Sequence, residues 1–249
     1  MKEQIKKLIN FFRIKNKKLR IANYVILVFC VIYFLIIVYP NFLFDYTFKY
    51  KKFNIYSTQP IGDSIKKVLD EAELKLSVSE INDESLTHNI YLCNNYNLYT
   101  FFAPFIRKSF ASNSPVVNNI FIAKCDINKN VGYKNDEMNK YTRELSAIIS
   151  HETTHTLIQK KIGFWKFITL SSWKNEGYCE YVGCGKTDNI KEGQEFLIKN
   201  NNDNKSGTRY RKFYIAVNYL MTSKKMTFDN ILSTNLSLEE VLKKVELAK

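Results

Sequence analysis

The longest apolar run in the chain is IANYVILVFCVIYFLIIVYP, and no charged residue occurs from Ile21 to Phe44. At 1.5 Å per helical residue, Ile21 to Tyr39 reaches about 28 Å, close to one hydrocarbon core. The run predicts a membrane span over 21 to 39. Its apolar character continues well past Cys30 with no small-residue cleavage site behind it, which favours an uncleaved signal anchor over a removed leader. Residues 40 to 60, most clearly DYTFKYKKFNIYSTQP, predict a short extended stalk ending at Pro60.

Beyond Pro60 the period changes. GDSIKKVLDEAELKL places Ile65, Val68, Leu69 and Ala72 at helical spacing behind Asp63 as a cap. NIYLCNN (89 to 95) and VVNNIFIAKCD (116 to 126) are rich in β-branched and aromatic residues and read as strands. The stretch between them is apolar but broken by Pro104 and Pro115, and it predicts no definite element. From about Tyr141 to Ile162 the spacing is helical, with Leu145, Ile148, Ile149 and Ile158 among the apolar positions and Gly163 at the C-terminal cap. A second helix is expected near SSWKNEGYCEYVG, with Ser171 or Ser172 as N-cap. NIKEGQEFLIK predicts a short helix that runs into an Asn-rich loop. YRKFYIAVNYLM and LEEVLKKVEL add two more helices, the last capped by Ser237. Helix and strands come first and helices alone follow, so the expectation is an α+β domain over 61 to 249.

Charge changes the picture at one end only. Residues 1 to 20 hold eight basic residues and one acid, so this tail carries +7 of the net +13. Three lysines, Lys49, Lys51 and Lys52, follow the span closely. The positive-inside rule then puts the amino end in the cytoplasm and the rest of the chain outside. Basic side chains beside a span suit anionic lipid headgroups, and no stripe of Arg interleaved with aromatics suggests nucleic acid. Of five cysteines, Cys30 lies in the span. Cys93, Cys125, Cys179 and Cys184 allow three disulfide pairings or four free thiols, and no C-x-x-C suggests a zinc knuckle.

Two of the three histidines sit four apart in His151-Glu152-Thr153-Thr154-His155. On a helix, positions i and i+4 share a face, so both rings can point at one ion, while Glu152 is offset toward a water rather than the metal. The plain alternative is a surface helix with two solvated histidines. Catalytic zinc usually takes three protein ligands. His88 is poorly placed for the third and reads as an ordinary, partly exposed histidine. Glu176 lies twenty-one residues after His155, and Glu180 one turn later on the same face. Like charges at that spacing repel unless a cation or donor lies between them. A metal on Glu176 and a histidine N–H on Glu180 would answer both needs.

At these residues the chain resembles the gluzincins, zinc metallopeptidases that pair an HExxH helix with a glutamate on the following helix. It is most similar to short peptidase MA-like members with a later W-x-x-E-G-x-x-E-Y element, here Trp173 to Tyr181. The resemblance, spanning roughly residues 60 to 247, implies a zincin-like fold. It further implies zinc held by His151, His155 and Glu176, with Glu152 as general base and Glu180 orienting a ligand histidine. The two threonines of HETTH depart from the small or apolar residues often found there. The resemblance also implies a peptide-binding strand before the helix, in the slot of NNIFIAKCD. It makes Tyr210, in YRKFYIAVNYL, a candidate donor to the oxyanion, a part Tyr178 or Tyr181 could also take. The expected protein is a membrane-anchored peptidase acting on peptide or protein. Its rivals are an inactive zincin-like scaffold and a basic surface-binding protein.

Overall fold

The computed structural model describes residue 3 and residues 17–114, 117–134, 141–186, 189–200, 203 and 205–248. The chain divides into two units, Met1–Leu43 and Phe44–Lys249.

In the first unit α1 (Lys17–Val38) is a 22-residue helix followed by a 3-10 turn, Pro40–Leu43. Its length is about 33 Å. Leu19, Ile26, Phe29 and Phe34 along it are all exposed. It is long and apolar enough to cross a membrane, a property that a signal sequence shares.

The second unit begins earlier than the sequence suggests. Residues expected as a stalk form β1 (Tyr46–Tyr50) and β2 (Phe53–Ser57), an antiparallel hairpin turning at Lys51 with φ 49°. Phe53, Ile55 and Ser57 are buried in alternation, the half-buried pattern of a strand. Two lysines at the turn and the exposed side chains of β1 hide it in a reading by composition.

From β2 the chain crosses through α2 (Ser64–Leu76) to β3 (His88–Leu92), which lies parallel to β2. The unassigned stretch supplies α3 (Tyr96–Phe102), where the Asn95 side chain accepts hydrogen bonds from the amides of Asn97 (2.7 Å) and Leu98 (3.4 Å). It also supplies β4 (Ala111–Asn113). The strand expected over 116 to 126 is two strands, with residue 116 outside the described residues. β5 (Asn119–Ile122) lies inside the five-stranded sheet β1-β2-β3-β5-β4, whereas β6 (Lys124–Asp126) starts a three-stranded sheet with β7 (Val131–Tyr133) and β8 (Thr142–Glu144). β3 and β5 are parallel and central, which is why NIYL and NIFI read as unbroken apolar runs. One face of the sheet sends Phe53, Ile55, Ile90, Leu92, Ile120 and Ile122 into the core. Its other face is an aromatic stack: Tyr91 lies 4.7 Å from Tyr56 and 5.2 Å from Phe121, and Phe102 of α3 lies 4.2 Å from Phe121.

β8 runs straight into α4 (Leu145–Ile162). Asn130, with φ 52°, starts that helix by accepting the Leu145 amide on its carbonyl and the Ser146 amide on its side chain, both at 2.9 Å. Gly163, with φ 80°, ends it where expected. Leu145 through Ile158 are all buried, so α4 is the central helix of the domain and not an amphipathic surface helix. Its buried hydroxyls turn back on the chain: Ser150 donates to the carbonyls of Ser146 (2.7 Å) and Ala72 (3.1 Å), and Thr154 to that of Ser150 (2.7 Å). The helical half follows as α5 (Phe164–Thr169), α6 (Ser172–Cys184), α7 (Ile190–Lys199), α8 (Ser206–Asn218), α9 (Phe228–Ser233) and α10 (Leu238–Glu246). Ser237 and Glu240 form the capping box of α10. Ser171 stands at the N-cap of α6 without a side-chain capping bond. The whole is the mixed α+β domain expected.

α6 packs between α4 and α8, and two glycines set its distance from each. A Cβ on Gly177 would come within 2.7 Å of the Phe213 carbonyl oxygen, and one on Gly183 within 2.9 Å of that of Ala147 and 3.4 Å of the His151 Cβ. Both contacts include backbone, which cannot rotate aside. Gly177→Ala is therefore expected to destabilise the domain by about 1–3 kcal/mol, the usual cost of overpacking a core. Denaturant unfolding of the full chain in detergent reads this as a lower midpoint, and an unchanged midpoint contradicts it.

Candidate metal centre

α4 and α6 face each other across the middle of the domain and place four of the expected site residues together. His151 and His155 share one face of α4, with ring centroids 4.9 Å apart and planes at 80°. Glu176 and Glu180 share the opposing face of α6. His151 Nε2 lies 3.3 Å and His155 Nε2 3.5 Å from the same atom, Glu176 Oε2. Charge-assisted N–H···O bonds are about 2.7–2.9 Å long, so these contacts are loose for hydrogen bonds. Ligand atoms held about 2.0–2.1 Å from a tetrahedral ion are about 3.3 Å from one another. The two observed separations match that edge.

The far side of each ring is also engaged. His155 Nδ1 lies 3.0 Å from Asn175 Oδ1, a pairing in which Nδ1–H donates to the amide oxygen and Nε2 faces Glu176. His151 Nδ1 lies 3.1 Å from Glu180 Oε1, close in distance although not aligned as a hydrogen bond. Glu180 in turn takes a two-pronged ion pair from Arg143 of β8, Nη1 at 2.8 Å and Nη2 at 3.0 Å. Arg143 and Asn175 are absent from the sequence reading. Asn175 had a signal, its place beside Glu176. Arg143 had none beyond the general rule that a buried carboxylate needs a cation.

A second donor set shares the histidines. His151, His155 and Cys179 form a buried cluster whose ligand atoms lie within 4.8 Å of one another, and this cluster could hold a metal. Cys179 Sγ, however, sits 3.3 Å from His155 Nδ1, behind the ring as seen from Glu176. Burial, then Glu176 and Glu152, push its thiol well above the ordinary value, against forming the thiolate a metal requires. The alternative set of His151, His155 and Glu176 brings both Nε2 atoms within 3.5 Å of one carboxylate oxygen, a nitrogen and oxygen donor set that needs no thiolate.

Glu152 is buried beside the histidines and lines a cleft of about 730 Å3 that also exposes His151, His155 and Glu176. Burial raises the pKa of its carboxyl, with the two histidines opposing. Tyr210 of α8 lines the same cleft, and burial together with Glu176 and Glu152 holds its phenol protonated far above neutrality. Tyr178 and Tyr181 do not line it, and the Tyr178 hydroxyl lies 3.0 Å from Ser79 Oγ in the core. The cleft-side strand is also not the expected one. β5 is interior, whereas β4, the outer strand, lines the cleft, and Asn113 at its end donates to the Glu152 carbonyl (3.2 Å) and to Thr156 Oγ1 (2.7 Å). His88 is buried at the start of β3 rather than partly exposed, and it does not line the cleft. All five cysteines are free thiols.

No protein-family model matches the chain, and no curated protein matches it. The site therefore stands on its geometry.

In the metal-free protein, burial opposes charge on His151, but Glu180 and Glu176 outweigh it and hold the pKa up at about 10. His155 is raised in the same direction by Glu176 against its burial. An ion needs neutral imidazole, so binding must displace these protons, and affinity must rise with pH as long as pH stays below the raised value. Zinc binding measured by calorimetry in buffers of different ionisation enthalpy is expected to release about one to two protons per ion at neutral pH. Affinity is expected to fall at least about tenfold per unit of pH on the acid side. Proton-neutral binding contradicts this.

Proposed function

We propose that this protein is a membrane-anchored, zinc-dependent metallopeptidase whose ligands are His151, His155 and Glu176. The observation that carries the reading is the approach of both Nε2 atoms to one Glu176 oxygen at separations suited to a shared ion and long for hydrogen bonds. When bound, such an ion supplies Lewis-acid polarisation of a carbonyl and acidifies water toward neutral pH.

The chain's own groups supply the rest. Glu152, its pKa raised toward the working range by burial, accepts a proton from the attacking water and passes it to the leaving amine. Tyr210, protonated at neutral pH, donates to the carbonyl oxygen as charge develops there. Glu180, neutralised by Arg143, and Asn175 keep the two imidazoles turned inward. β4, the outer strand of its sheet, lies along the cleft where an extended peptide would run beside it. The site is buried, which argues against two solvated histidines on a surface helix, and the presence of Glu152 argues against a scaffold that needs ligands only. The apolar helix α1, led by a tail of +7, supports an amino end in the cytoplasm and the domain on the other side.

The test compares full-length protein in detergent with its Glu152→Gln and His155→Ala variants, for bound metal and for peptide hydrolysis. Stoichiometric zinc is expected in the first two and not in the third. Hydrolysis is expected to fall by about 10²-fold or more in Glu152→Gln. A metal-free parent protein, or equal hydrolysis by all three, overturns the proposal.

A further inference from the structure

The charges around the cleft are sorted by depth. The acidic side chains that line it are Glu152, Glu176 and Glu180, all at the centre, among the described residues. Those three carboxylates face His151, His155 and Arg143, so the centre is internally compensated. Farther out the lining is basic: Lys108 ahead of β4, Lys134 after β7, and Arg209 and Arg211 on α8. Arg211 is paired with Glu192 at 2.5 Å. The other three show no carboxylate partner among the described residues. Lys134 lies 5.7 Å from the Tyr141 ring, and Arg209 lies 6.0 Å from the Tyr210 ring. Three cations without a carboxylate partner among the described residues, from three separate elements, thus ring one concave site, where low-dielectric walls concentrate their field.

Resting on the peptidase reading, we propose that the cleft selects acidic peptide, with Lys108, Lys134 and Arg209 receiving carboxylate side chains that flank the bond held over the centre. Peptide fits better than nucleic acid because β4, whose Ala111–Asn113 segment lines the same cleft, is the outer strand of its sheet and among the described residues pairs with β5 alone, so an extended backbone can lie beside it past Ala111, whose carbonyl accepts from the Tyr99 hydroxyl (3.0 Å). Arg209 adjoins Tyr210, so the selecting charge sits next to the group that faces the reacting carbonyl. Side chains beyond it reach Lys108 along the direction of β4.

The test uses the full-length Glu152→Gln protein in zwitterionic detergent and three labelled peptides identical except for Glu, Gln or Lys at the flanking positions. Fluorescence anisotropy is expected to give a Kd about tenfold lower for the Glu peptide than for the Gln peptide at low salt, and weaker still for Lys, with the gaps closing at high salt. Lys108→Glu with Arg209→Glu is expected to reverse the order. Lys67→Glu with Lys243→Glu makes the same change in net charge outside the cleft and is expected to preserve it. Equal binding of the Glu and Gln peptides, or reversal by the outside pair as well, overturns the inference. So does an oligodeoxynucleotide of equal charge that displaces the Glu peptide. Hydrolysis of all three peptides at equal rates by the parent protein removes the inference and leaves the peptidase reading. Selective binding without hydrolysis does the opposite.

Discussion

The carboxylate of Glu180 lies inside the domain between the guanidinium of Arg143 and the imidazole of His151, and the rest of the centre depends on its being neutralised there. A buried charge stripped of its partner costs on the order of 3–5 kcal/mol, a large part of a typical domain's stability. Arg143 meets that demand in a two-pronged pair from β8, the strand that leads directly into α4. The same contact therefore fixes the start of the histidine-bearing helix against the glutamate-bearing one. Gly183 lets the two helices close, because any side chain there would strike the Ala147 carbonyl and the Arg143 guanidinium. With α4 and α6 locked at that distance, Glu176, one turn before Glu180, arrives opposite both Nε2 atoms.

Much of this was legible in the sequence where the chemistry is local to one helix. The spacing of His151, Glu152 and His155, and of Glu176 and Glu180, needs only the helical period. The two helices that carry them start and stop near Ser171 and Gly163 for reasons visible in the residues. Contacts between elements were not legible. Arg143 sits in a three-residue strand of a second sheet, and its partner is thirty-seven residues away. β4, Ala-Ser-Asn, is too short and too polar to register as a strand, so the apolar NIFI drew the cleft-side place that its neighbour holds. The hairpin of β1 and β2 was lost for the same reason: its pairing, rather than its composition, makes it sheet. The rival reading of α4 as a surface helix with two solvated histidines fails on packing between elements: the helix is buried from Leu145 through Ile158, and the Ser150 and Thr154 hydroxyls within it donate to backbone carbonyls.

Electrostatically the domain is layered. Three carboxylates and two imidazoles occupy the floor of the cleft, and lysine and arginine occupy its rim. An acidic floor favours a cation, and a basic rim favours an anion, so the proposed metal and the proposed acidic substrate would be two consequences of one arrangement. The buried donors also explain why two ligand sets coexist. Cys179 approaches His155 from behind, where Asn175 already sits, while Glu176 approaches from the front, where nothing else competes.

The choice between those two sets is the most direct point at which the central claim can fail. X-ray absorption at the zinc edge of the purified, zinc-loaded protein reports the ligand atoms themselves. Two imidazoles within a shell of nitrogen and oxygen at about 2.0–2.1 Å are expected for His151, His155 and Glu176. A sulfur shell at about 2.3 Å would place the ion on Cys179 and contradict the assignment.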